Sequence, residues 1–115
     1  MLESVVAETG DDDIGVSVVT LLELAHGVVR GDTADRREKR RRFLDELISV
    51  VPPHPVTVGA ALRAGRIDGE SQAKGIRIPL SDLLIGATAL EIGYIVVTHN
   101  LRHFRLIPNL PVRPL

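Results

Sequence analysis

Glu23, Asp82, Thr98 and Asn100 are the polar residues whose settings single them out. Glu23 lies in TLLELAHG, between Leu21, Leu22, Leu24 and Ala25, where a desolvated carboxylate is costly unless something compensates it. Asp82 follows IPLS and opens an apolar stretch, and Thr98 and Asn100 come directly after YIVV in the segment THN. In open parallel sheets, ligands bind beyond the carboxyl ends of the strands, which is where polar groups that follow a strand gather. Each residue also has a plainer reading. Glu23 can lean to solvent or pair with an arginine, an acid like Asp82 in a first helical turn complements the helix dipole, and Thr98 and Asn100 suit a strand end and a turn.

The elements that must position these residues follow from periodicity and punctuation. In residues 1–10, Leu2, Val5 and Val6 recur at helical spacing, with Glu3 and Glu8 off that stripe and Gly10 as a C-terminal cap, so the segment reads as the end of a helix. Asp11 to Asp13 form a turn, Ile14 to Val16 a short buried strand, and Ser17 the cap of VSVVTLLELAHGVV, a helix apolar on nearly every side and therefore expected to be buried. Gly31, Asp32 and Thr33 break it. The next helix is wet over DRREKRRR and turns Phe43, Leu44, Leu47 and Ile48 inward, with Ser49 to Val51 predicted as a strand.

PPHPVT is a connector, since each proline lacks a donor and restrains the residue before it. Thr57 caps a helix through GAALRAGRIDGESQAKG, which Gly75 stops. After the IRIPL loop, Ser81 caps DLLIGATALEIG, whose Gly86, Ala87 and Ala89 permit close packing on a sheet and whose end is Gly93. YIVVT is a buried strand, LRHFRLIP one helical turn, and LPVRPL a short edge strand, where prolines are tolerated. Helices alternating with β-branched strands imply parallel pairing and an α/β sandwich.

Composition narrows the classes. With 115 residues, one domain with one core is expected, and aliphatic side chains supply nearly all of the 44% hydrophobic content because aromatics are only 3%. Fourteen basic against fifteen acidic residues leave a net charge of −1, which argues against a general nucleic-acid coat and makes any basic surface local. The run RREKRRR, residues 36–42, is the one strong cluster, as well explained by a solvated helical face as by phosphate contact. The absence of cysteine removes disulfides and thiolate zinc sites, and no stretch has the apolar length of a membrane span, so a soluble cytoplasmic protein is expected. His26, His54, His99 and His103 show no metal-site spacing; His99 and His103 can come near the site, but surface or loop positions are expected.

Taken together, SVVTLLELAHGV and IPLSDLLIGATALEIGYIVVTHNLRHFRLIPNLPV resemble the PIN-domain family, and more narrowly its VapC-type ribonuclease toxins. The resemblance covers nearly the whole chain and implies a PIN-like three-layer α/β sandwich with a short parallel sheet. It further implies a metal-dependent endoribonuclease of a toxin–antitoxin pair, with Mg²⁺ or Mn²⁺ as cofactor, RNA as substrate, and an antitoxin protein and a second copy of the chain as partners. Glu23 and Asp82 match family carboxylates, Asn100 falls where the family has Asp or Asn, and Thr98 matches the hydroxyl residue of that motif. Glu23, Asp82 and Asn100 would be the metal ligands, with Thr98 assisting.

The departure is at the front. The family begins with a strand ending in Asp, within Asp-Thr-Ser or Asp-Thr-Asn, and no such stretch stands here. Glu3 is a poor replacement, because a strand over Leu2 to Val6 leaves too short a connection for a parallel crossover of about a dozen residues. The chain is therefore expected to be an N-terminally truncated PIN-like domain, residues 1–115, lacking that strand and its Asp. Two carboxylates and an amide hold a divalent cation less well than a fuller set. The alternative reading is an inactive PIN-like fragment that only binds an antitoxin or another protein. A receiver domain has similar alternation but needs a Lys after a late strand, which THN does not offer.

Overall fold

A computed structural model describes residues 14–115 in full and the strand over residues 4–8 by its backbone. The elements, in chain order, are β1 (Ser4–Glu8), β2 (Ile14–Ser17), α1 (Val18–Val29), α2 (Ala34–Val50), β3 (Pro53–His54), α3 (Val58–Ala73), α4 (Leu80–Ile92), β4 (Tyr94–Thr98), α5 (Leu101–Phe104) and β5 (Val112–Pro114). The sheet order is β3-β2-β1-β4-β5.

The α/β sandwich predicted from alternation is present, with parallel pairs at both edges of the sheet, β2 with β3 and β4 with β5. The helical reading of residues 4–8 is corrected: they form β1, antiparallel to both β2 and β4. The argument from crossover length fails there because an antiparallel pair closes through a short hairpin. The readings of Leu2, Glu3, the Gly10 cap and the acidic turn fall outside the described residues. Since β1 runs against both neighbours, β2 and β4 run the same way, and their carboxyl ends, Ser17 and Thr98, open on one edge of the sheet.

Local chemistry explains most element starts. Ser17 Oγ accepts the Val19 N–H at 3.0 Å, Thr33 Oγ1 that of Arg36 at 3.1 Å and Thr57 Oγ1 that of Ala60 at 3.1 Å, three N-caps for α1, α2 and α3. The fourth differs from expectation. Pro79 is the cap of α4 and makes no side-chain bond, so Ser81 lies inside the first turn. Gly93 ends α4 at φ 74°, a left-handed conformation that glycine adopts without a Cβ penalty. The strand predicted over Ser49 to Val51 is instead the last turn of α2, closed by Val51 N–H to the Leu47 carbonyl at 2.8 Å. The pairing strand comes later, at Pro53–His54, and the Pro52 carbonyl receives Val16 N–H at 3.0 Å.

The main core joins α4 to β4, with Leu83, Ile85, Ala87, Ala89, Val96, Phe104 and Ile107 buried together. Gly86 is what lets the chain after α5 lie on α4: an added Cβ would run into Ile107 Cδ1 and meet Leu110 Cδ2 at 3.1 Å. A smaller cluster of Val16, Leu47 and Val51 seats α1 and α2 on β2. The expected burial of α1 is only partly found. Val18, Leu22, Ala25 and Val29 form an exposed apolar stripe, Leu22 at 67% and Val29 at 77%. Val19, on another face, packs against the main core.

Candidate metal centre

Thr98 ends β4 fully buried, and its Oγ1 accepts the backbone N–H of Asn100 at 2.9 Å. That bond turns the chain sharply at the sheet edge and fixes where the Asn100 side chain begins. Asp82 approaches from α4, in its first turn, which the helix dipole favours for an anion. The amide Nδ2 of Asn100 lies 3.4 Å from Asp82 Oδ2. His103 completes the group, with Nδ1 at 2.8 Å from Asp82 Oδ2 and 2.7 Å from Asn100 Nδ2.

Three of the four residues singled out in the sequence thus meet at the carboxyl end of β4. His103 takes the position near the site that the sequence left as its less favoured placement. Its signal was present: it follows Asn100 by three residues, one turn along α5, the spacing at which side chains meet. The Asp82 side chain is 13% exposed and that of His103 31%, so the group is recessed but open to solvent.

Glu23 lies on α1. It is exposed and lines a cleft of about 570 Å³ with Thr20, His26, Gly27, Arg40 and Phe43, whose walls do not include Asp82 or Asn100. Glu23 follows Val19 by four residues, and Val19 packs on the core that contains Leu83, next to Asp82. Glu23 therefore leaves α1 from the side that carries α1 onto the α4 core. Thr20, one turn before Glu23, is 4% exposed, and its Oγ1 has no hydrogen-bond partner among the described residues. A buried hydroxyl usually has one.

Among the described residues, no three side chains of His, Cys, Asp and Glu gather so as to hold a metal ion by themselves. The donor set nonetheless has the chemistry of a hard cation site. Asp82 offers a carboxylate and Asn100 an amide beside it, and in the cleft that Glu23 lines the buried Thr20 hydroxyl has no partner among the described residues.

The basic run of α2 is largely neutralised within its own helix and loop. Arg36 pairs with Asp32, Lys39 with Asp35, and Arg41 and Arg42 with Glu38. The hydrogen bond from Arg41 holds the Glu38 carboxyl below its ordinary value, and Glu38 in turn raises Arg41. Arg40 donates to the Gly27 carbonyl in the last turn of α1 at 2.7 Å, and Arg37 to the Gly31 carbonyl in the loop that follows at 2.8 Å. No helix among the described residues is long and apolar enough to cross a membrane.

The family model for the PIN domain matches residues 2–109. Ribonuclease VapC2 of Rickettsia felis is 29% identical over 100 residues, covering 87% of this chain and 72% of the relative. The tRNA(fMet)-specific endonuclease VapC of Salmonella typhimurium is 30% identical over 97 residues, covering 84% and 71%. Among solved structures, VapBC-5 from Mycobacterium tuberculosis, a member of the VapBC family of toxin-antitoxin systems, superposes with a TM-score of 0.79 at 27% identity, over 88% of this chain and 81% of the other. DNA-bound VapBC from Salmonella typhimurium gives 0.77 at 29%, over 86% and 73%.

Proposed function

Because the chain belongs to the PIN-domain family, we propose that it is a metal-dependent endoribonuclease, the toxin of a toxin–antitoxin pair, and that Asp82, Asn100 and Glu23 hold Mg²⁺ or Mn²⁺. The observation that carries this reading is the meeting of Asp82 with Asn100 at the end of β4, where Thr98 sets the turn. Relatives named as ribonucleases support the activity, and neighbours that are toxin–antitoxin complexes support the partner.

When bound, such an ion activates a water for in-line attack on an RNA phosphodiester. The chain's own residues do the rest. Asp82 supplies negative charge from a half-buried helix start. Asn100 adds a neutral oxygen, which lowers the mutual repulsion that two adjacent carboxylates would have. Thr98 holds Asn100 to the rigid strand, so the two donors keep their spacing. Glu23 would add a second carboxylate from α1. The exposed stripe of Val18, Leu22 and Val29 is a surface that an antitoxin or a second copy of the chain would cover.

The test is RNA cleavage by the purified chain with Mg²⁺ or Mn²⁺ added or chelated. Cleavage that requires the ion and is lost in Asp82→Ala supports the enzyme. A folded chain that cuts no RNA with either ion, yet still binds its antitoxin, would establish the inactive binding fragment instead.

A further inference from the structure

His103 Nδ1 makes two short contacts whose demands conflict. Toward Asp82 Oδ2, at 2.8 Å, it must donate, since a carboxylate oxygen carries no hydrogen. Toward the NH₂ of Asn100, at 2.7 Å, it would have to accept. One imidazole nitrogen carries either a hydrogen or a free lone pair, so it cannot do both. Turning the Asn100 amide end for end removes the conflict, because oxygen and nitrogen exchange places with no other change. His103 Nδ1–H then lies between two acceptors, Asp82 Oδ2 and the amide oxygen of Asn100.

This orientation changes what the site offers. The 3.4 Å separation becomes a spacing between two oxygens. Each spends one lone pair on the imidazole N–H and keeps another free. Adjacent ligands of an octahedral Mg²⁺ at its usual bond length are about 3 Å apart, so this pair needs only a small closure to bind one. Without a donor between them, a carboxylate and an amide oxygen would drift apart or the amide would turn its NH₂ toward Asp82, removing one metal ligand.

We propose that His103 is a positioning residue: its Nδ1–H holds the Asp82 carboxylate and the Asn100 amide oxygen at ligand spacing and keeps the amide turned oxygen-inward, without touching the cation. The inference rests on the metal-site reading above and concerns only how the ligands are held.

The test is Mn²⁺ binding to the full chain, followed by the electron paramagnetic resonance of the free ion, with thermal unfolding recorded for each variant. Asp82→Ala should abolish binding. His103→Ala should weaken it by about 10- to 100-fold, the usual cost of removing a hydrogen-bonding partner of a metal ligand. His103→Asn places a side-chain N–H where Nδ1–H stood and should return affinity to within a few-fold of the parent. The spin-echo spectrum of bound Mn²⁺ should show no directly coordinated nitrogen. Unchanged affinity in His103→Ala, equal losses in the Ala and Asn variants, or a coordinated imidazole nitrogen would each overturn the proposal while Asp82→Ala still lost binding. Binding that survives Asp82→Ala would instead overturn the metal-site reading and take this proposal with it.

Discussion

Thr98 Oγ1 accepts the Asn100 N–H at 2.9 Å from a position with no solvent exposure, and so couples a core strand to the group formed by Asp82, Asn100 and His103. Thr98→Val keeps the shape and removes the acceptor. A lost hydrogen bond of this kind costs about 1–2 kcal/mol. Denaturant unfolding should show that loss, and Mn²⁺ affinity should fall several-fold as Asn100 loosens; affinity equal to the parent would separate the turn from the site.

Asn100→Asp should act oppositely with and without metal. Two carboxylates 3.4 Å apart repel each other, and the single His103 N–H between them offsets only part of that repulsion. The melting temperature of the metal-free variant should drop below the parent's, while its Mn²⁺ affinity rises because ligand charge increases. Thermal melts with and without Mn²⁺ check this, and a variant that gains neither metal affinity nor metal-dependent stability would count against Asn100 as a ligand.

Gly86 has no room for a methyl group, since its Cβ would collide with the buried Ile107 side chain. Gly86→Ala should destabilise the fold by about 1–3 kcal/mol, the range for overpacking a dense interior. A chemical-denaturation midpoint equal to the parent's would mean that the segment after α5 yields more easily than its packing implies.

Within RREKRRR the arginines should divide by what they touch. Arg40 binds a carbonyl in the last turn of α1 and Arg37 one in the loop after it, so Arg37→Ala and Arg40→Ala should each lower stability by about 1 kcal/mol. Lys39→Ala and Arg42→Ala break exposed ion pairs and should stay within about 0.5 kcal/mol of the parent. Equal effects across all four would contradict this division.

Glu38 should titrate below an ordinary glutamate, with Arg41 as the main cause. Because the folded-state value is depressed, its contribution to stability is complete above the unfolded-state pKa and fades as pH falls through the folded one. Carboxyl NMR on the parent and on Arg41→Gln measures it, and the Glu38 midpoint should rise in the variant.

The elements were legible in the sequence wherever a short-range rule sufficed. Ser17 and Thr57 announced helix starts because an N-cap needs only a side-chain oxygen and an amide two or three residues on. The family resemblance rests on two separate blocks, and the roles suggested for Asp82, Thr98 and Asn100 come from the second, within which the local bond from Thr98 to Asn100 lies. What the sequence by itself could not determine was every relation between distant segments. Residues 4–8 have helical spacing, yet they are a strand, because pairing with β2 and β4 supplies hydrogen bonds that periodicity does not register. The outer face of α1 was taken for core because apolar composition does not say which side meets another element. His103 carried no metal-site spacing, and only the packing of α5 against α4 brought its ring to Asp82, 21 positions away. Tertiary structure decided these points because contact between remote residues depends on how helices and sheet stack, a property of the whole folded chain.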